Sequence, residues 1–221
     1  DTTDATLVPE DFGAAGPNDE KARQILDGAR RIFLRDGFDG ASMNDIVRAA
    51  GVSKGTLYVY FPSKEALFAA LIRHDKRQQA ERMCAWACDS TDVREALRRV
   101  GRSFLEMMSR ADHMAQVRTV IAVAPRFPEI GRAFYEAGPQ YGFTRLEGLL
   151  TRYVQSGDLV IDNLRRAAIQ FVQLCKGEAN LRLFFGQGDE PTEEEVVETI
   201  DSAVDFFLCA YGVPGRTRPE R

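Results

Sequence analysis

The chain has little of what chemistry at a catalytic site usually requires. Of its 221 residues only two are histidine, His74 and His113. No Gly-rich phosphate loop, nucleophile elbow or helix with metal-ligand spacing accompanies them. An enzyme is therefore not expected. Cysteine is nearly as scarce, at four. Cys84 and Cys88 stand four apart on a predicted helix and share a face, with Cys175 and Cys209 elsewhere. An i, i+4 pair cannot supply four tetrahedral ligands, so neither a metal nor any other cofactor is expected. The thiols read as reduced and buried, with a thiol redox sensor as the alternative. Long apolar runs are missing too. None approaches the roughly 18 residues that a membrane span needs, and neither end resembles a signal peptide. The expectation is a cytoplasmic protein with no membrane contact. No internal repeat is visible.

Positive charge is in deficit overall. The net charge is −4 and the pI near 5.4, which looks wrong for a nucleic-acid partner until the charge is located along the chain. Residues 1–17 carry four acids and no base, whereas residues 18–64 carry eight Lys or Arg against six Asp or Glu. The remainder is net negative. The only basic block is thus the one from Asn18 to Lys64.

That block also holds the most informative pattern, Ser42-Met-Asn-Asp-Ile-Val-Arg-Ala-Ala-Gly-Val-Ser-Lys-Gly-Thr-Leu-Tyr-Val-Tyr-Phe61. Ser42 with Asp45 makes a capping-box-like start, and Ile46, Ala49 and Ala50 give a short helix one narrow apolar face. Gly51 permits positive φ at its end. Ser53 then caps a second helix with Leu57 and Phe61 on one side, closed by Pro62. Local propensity argues for a strand instead, since Thr56, Tyr58, Val59, Tyr60 and Phe61 are β-branched or aromatic. A lone strand between helices would have no partner for its backbone groups. A helix is preferred, because tyrosines on its wet face can donate to phosphate oxygens.

With these residues in view, Lys21–Ile72 resembles the DNA-binding domain of the TetR family of transcriptional regulators, of the AcrR-like kind. The matching parts are Ala29, Phe33 and Gly37, then Asp45-Ile46 and Ala50-Gly51-Val52-Ser53, then Gly55 to Phe61, then Lys64-Glu65 and Leu67-Phe68. Two positions depart from the pattern: Val47 replaces a small alanine, and Val59 replaces a second tyrosine or a histidine. The resemblance implies that Ser53, Lys54, Gly55 and Thr56 open a recognition helix in the major groove. It also implies that Tyr58, Tyr60 and Lys64 hold the DNA backbone, and that Ser42 and Asn44 make a phosphate contact and a base contact.

The rest reads as helix after helix, an all-α chain with a three-helix helix-turn-helix domain and a larger carboxy-terminal effector and dimerisation domain. The expected divisions are a disordered leader (1–17), a DNA-binding domain (18–64), a ligand-binding and dimerisation domain (65–213) and a flexible tail (214–221). Helices are expected over Asn18–Asp36, from Ser63 towards Cys88, and over Val93–Ser109, Met114–Ala124, Glu129–Ala137, Gln140–Ser156 and Asn163–Phe185, with Gly138-Pro139 as a break. Thr192 and Glu195 form a capping box for a last helix.

Aromatic residues and thioethers suggest where an effector would sit: Trp86, Phe104, Met107, Met108, Phe134, Tyr141 and Phe171 suit an adaptable apolar cavity. Phe185, Val197, Ile200, Val204, Phe207, Leu208 and Tyr211 form an apolar stripe assigned to a two-fold, four-helix dimer interface, as the resemblance also implies. The expected function is that of a homodimer binding an inverted-repeat double-stranded DNA operator, a repressor released by a small hydrophobic effector. The alternatives are a constitutive DNA-binding protein without effector and the thiol-sensing regulator.

Overall fold

The computed structural model describes residues 17–85 and 90–217. It divides into two compact units, one ending at His74 and one beginning at Asp75. Among the described residues there is no strand, only an isolated bridge between Leu159 and Gly212.

The first unit holds α1 (Pro17–Gly40), α2 (Met43–Ala50), α3 (Lys54–Tyr60) and the first turns of α4 (Lys64–Ala85). The three-and-four spacing of Ile25, Leu26, Ala29, Ile32 and Phe33 puts all five inside. Ile46 and Ala50 of α2, Leu57 of α3, and Leu67, Phe68, Leu71 and Ile72 of α4 are buried in the same unit. The Phe68 ring lies 4.7 Å from that of Phe33 and 5.1 Å from that of Phe38. The unit therefore extends past the boundary expected at 64, because the start of α4 completes its core. Helix α1 also outruns its expected end at Asp36. Gly37, at φ 69°, kinks the path, and Ala41 N–H donates to Gly37 O beyond it.

The second unit contains α5 (Val93–Ser109), α6 (Ala111–Val123), α7 (Pro128–Tyr135), a π-helical turn (Glu136–Gln140), α8 (Tyr141–Gln155), α9 (Leu164–Phe184) and α10 (Glu193–Tyr211). Helix α6 starts before the expected Met114, since the extended backbone of Arg110 already turns the chain out of α5. Gly138-Pro139 does not break the chain as expected. It sits in the π-helical turn that joins α7 to α8, a wider turn that can accommodate a proline with no N–H to give. Helix α10 opens on its capping box: Glu195 N–H donates to Thr192 Oγ1 at 3.2 Å, and Thr192 N–H to Glu195 Oε2 at 2.8 Å.

The core of this unit is built from one face each of α5, α8, α9 and α10, with Leu97, Leu105, Leu150 and Phe171 among its buried members. Phe171 and Phe207 meet edge to face at 5.3 Å. Arg94, Arg98 and Arg102 of α5 pair in reverse order with Asp205, Asp201 and Glu193 of α10, so the two helices run antiparallel. These pairs are exposed, so solvent screens them and their value is in setting register.

This core corrects the dimer assignment. Ile200, Val204, Phe207 and Leu208 are buried inside the chain itself, because the regular stripe of α10 is the face packed among its own neighbours. Tyr211 is half-buried, its hydroxyl bonded to Gln170. Of the residues assigned to the interface, Phe185 and Val197 remain exposed. Of the expected tail (214–221), residues 214–217 are held in place and residues 218–221 lie outside the described residues. Val213 N–H donates to Asp158 O at 3.1 Å, and the Arg216 guanidinium donates to Ser156 O at 2.8 Å. Residues 214–217 are thereby folded back onto the α8–α9 loop. Residues 1–16 of the expected leader lie outside the described residues.

Candidate DNA interface and effector cavity

Helix α2 begins where Ser42 Oγ accepts the Asp45 N–H at 3.1 Å and donates to the Asp45 carboxylate. That bond and the Arg48 ion pair hold the Asp45 carboxyl below its usual range. The helix ends at Gly51, left-handed at φ 64°, with its N–H on Arg48 O and Val47 O. Two α1 side chains take the last carbonyls of α2: Gln24 Nε2 donates to Ala50 O at 2.7 Å, and Arg31 donates to Ala49 O. Close approach here depends on Gly28, where a Cβ would stand 2.6 Å from Ala50 Cβ.

Helix α3 begins on Ser53, whose Oγ accepts the Thr56 N–H at 3.0 Å and lies 2.7 Å from Thr56 Oγ1. Leu57 and Phe61 turn inward, 0% and 1% exposed. Lys54, Gly55, Tyr58 and Val59 are left on the open face. The segment is helical despite its strand-like composition because this inward pair anchors one side of it.

In the second unit a cavity of about 520 Å³ opens between α4, α5, α6, the α7–α8 region and α9. Its walls are mostly apolar, with Phe104, Met107 and Met108 from α5, Phe134 from α7 and Phe171 from α9. Its most deeply buried polar corner is formed by Lys76 and His113: the Lys76 ammonium donates to His113 Nδ1 at 3.0 Å and lies 4.5 Å from the Phe134 ring centroid. Burial pulls Lys76 down to about 7, against the opposing effect of Asp75 and Asp112. Burial, and then the charge of Lys76, pulls His113 down to about 3. At neutral pH His113 is therefore an uncharged acceptor.

The comparisons with known proteins divide along the same lines. Residues 25–71 match the family described as bacterial regulatory proteins, tetR family, and residues 95–213 match the AefR-like transcriptional repressor, C-terminal domain. The chain belongs to the TetR family of transcriptional regulators. A helix-turn-helix transcriptional repressor of Mycobacterium tuberculosis is 36% identical over 129 residues, 58% of this chain and 62% of that protein. The solved flavonoid-responsive regulator FrrA is 37% identical, with a TM-score of 0.76 over 89% of this chain and 99% of its own. A TetR-family structure from Mesorhizobium loti, at 24% identity, has a TM-score of 0.84 over 90% of this chain and 100% of its own; that likeness speaks for the fold alone.

Within this TetR-family frame the positions singled out in the sequence fall into groups. Ser42 and Ser53 are the N-caps of α2 and α3, and Asn44 is exposed beside the first. Lys54, Gly55 and Tyr58 share the open face of α3, while Thr56 and Tyr60 flank it, half-buried. Val59, which stands where the family pattern has a second tyrosine or a histidine, is 83% exposed and offers a methyl surface of the kind that meets thymine. Lys64 is placed differently from the expectation: its ammonium donates to Phe38 O, Asp39 O and Ala41 O, so it clamps the end of α1.

Of the effector candidates, Phe104, Met107, Met108, Phe134 and Phe171 line the cavity, whereas Tyr141 is not among its lining residues. Tyr141 opens α8 immediately after the π-helical turn, which lets its neighbours Pro139 and Gly142 form the wall. Trp86, Cys88 and the Cys84 side chain lie outside the described residues. The Cys175 thiol is buried and pushed up to about 12, which suppresses thiolate. Among the described residues no group of three or more His, Cys, Asp or Glu could hold a metal. No helix among them is long and apolar enough to cross a membrane.

Proposed function

We propose that the chain acts in the cytoplasm as a homodimeric repressor of an inverted-repeat operator, released when a small, largely apolar effector enters the second-unit cavity. The observation that carries this reading is α4, a single helix bearing Lys64 in the DNA-binding unit and Lys76 in the cavity wall. An effector that prefers one position of α4 shifts the populations of operator-competent and incompetent states by its differential affinity. A constitutive DNA binder would have no use for the cavity.

In this reading Lys54, Gly55, Tyr58 and Val59 face the major groove, with Ser42, Asn44, Ser53, Thr56 and Tyr60 at its edges. The dimer forms through α9 and α10. Its apolar contacts are Leu181, Phe185, Val197 and Phe206, which are 59%, 70%, 45% and 65% exposed on one chain and would be covered by a second copy. Two recognition helices then meet half-sites about 34–36 Å apart.

Selection of bound sites from random duplex DNA, followed by a compound screen for release from the selected site, tests the whole reading. Recovery of an inverted repeat, sedimentation as a dimer and release by an apolar compound are expected. A monomer, or a protein indifferent to every duplex at low salt, would refute it.

A further inference from the structure

The charged side chains on the described wall of the cavity are all cations: Lys76, Arg145, Arg152 and Lys176. No Asp or Glu appears on that wall. Lys76 is the most deeply placed, 4% exposed, and it shares the wall with His113, 5% exposed. Three elements besides α4 shape its seat. His113 of α6 accepts from the ammonium at 3.0 Å, Phe134 of α7 presents its ring at 4.5 Å, and Gly138 of the π-helical turn makes room for the stem. A Cβ on Gly138 would stand 3.3 Å from Lys76 Cδ.

A buried ammonium against apolar walls is costly to keep charged, and burial does pull Lys76 down to about 7. His113, uncharged, brings a dipole and no charge. A site so arranged discriminates among apolar guests by their headgroup. An amine meets like charge on the wall, with Asp75 and Asp112 acting only from behind it, a neutral ester gains little, and a carboxylate restores the charged form of Lys76 through a charge-assisted hydrogen bond.

We propose that the cavity takes an apolar carboxylate, its headgroup received at Lys76 beside His113 and its body among Phe104, Met107 and Phe171. This deepens the effector reading above and rests on it. The headgroup is the specific element, and the body, linear or aromatic, is whatever the flexible thioethers can accommodate.

The test is calorimetric titration of the full chain with two matched sets: dodecanoate, methyl dodecanoate and dodecylamine, all below micelle-forming concentrations, and 2-naphthoate with methyl 2-naphthoate. In at least one set the acid should bind about ten- to a hundredfold tighter than its ester, and dodecylamine should bind more weakly than dodecanoate. Which acid binds better distinguishes a fatty from an aromatic ligand. Lys76→Met, which keeps the stem, should abolish the advantage of the acid and leave ester binding in place. Esters binding as tightly as both acids, a preference for the amine, or binding of neither acid would overturn the proposal. These outcomes are read on the unmodified protein, so they stand even if the variant fails to fold. Operator release followed in parallel separates the two readings. Lys76-dependent acid binding without release would support the carboxylate site and refute an effector role. Release by neutral compounds with no preference for acids would preserve the effector role and overturn the carboxylate.

Discussion

Replacing Lys64 by Met keeps the alkyl stem and removes the ammonium, and the structure says what is then lost. That ammonium donates to Phe38 O at 2.7 Å, Ala41 O at 3.0 Å and Asp39 O at 3.4 Å, and it lies 4.7 Å from the centroid of the Phe38 ring. An ammonium has three donors, and here all three point at carbonyls around the end of α1. Lys64 is half-exposed, so water replaces part of what is removed. Allowing about 0.5–1 kcal/mol for each of the two shorter bonds, nothing for the longest, and about 0.5 kcal/mol for the ring contact gives a loss of about 2 kcal/mol. Urea unfolding followed by circular dichroism would read this as an earlier transition of the first unit. The competing role, a phosphate contact, predicts another pattern. Stability would change by less than about 0.5 kcal/mol, and the slope of log affinity against log salt would become shallower by roughly 0.9 per subunit. An unchanged unfolding midpoint together with a shallower slope would refute the clamp.

Three further outcomes follow from the same geometry. Gly28→Ala forces a Cβ to within 2.6 Å of Ala50 Cβ and 2.7 Å of its backbone. It should cost about 1–3 kcal/mol by overpacking and weaken operator binding by displacing α2; a variant with wild-type urea midpoint and affinity would show that α1 and α2 can separate freely. Thr56→Val removes the hydroxyl that lies against that of Ser53 while keeping the side-chain shape, and it should change base preference at particular operator positions in a site selection. An unchanged selected site would confine Thr56 to starting α3. His113 is depressed from 6.5 to about 3, so between these values the unfolded chain binds a proton that the folded chain does not. Its contribution to stability is therefore lost as pH falls through that window. His113→Gln should make the decline in urea midpoint from pH 6.5 to 4 shallower, and an unaltered decline would place the proton elsewhere.

The helix-turn-helix was legible because its signals are local. Ser42, Gly51 and Ser53 act on their own neighbours, and the caps and left-handed turn appear where those residues stand. The buried face of α1 likewise follows the three-and-four spacing of its apolar residues. Propensity taken alone points to a strand in α3, but the helix expected there against it is the one observed, because Leu57 and Phe61 are buried. Reading Gly138-Pro139 as a break failed, since a π-helical turn accommodates both residues without ending the helix.

The all-α architecture, the reading head and the existence of a capped final helix followed from the sequence by itself, through periodicity and capping that act over a few residues. The tertiary structure alone decided which neighbours claim a given apolar or charged side chain. The stripe on α10 is apolar whether its cover is a partner or the same chain, and packing assigned Ile200, Val204, Phe207 and Leu208 to the latter. Lys64 is a basic residue in a basic block until the carbonyls at the end of α1 are brought to its ammonium. Lys76 and His113, 37 positions apart in the chain, become one polar corner of an apolar cavity only when α4 and α6 meet. No local rule reaches across such a separation.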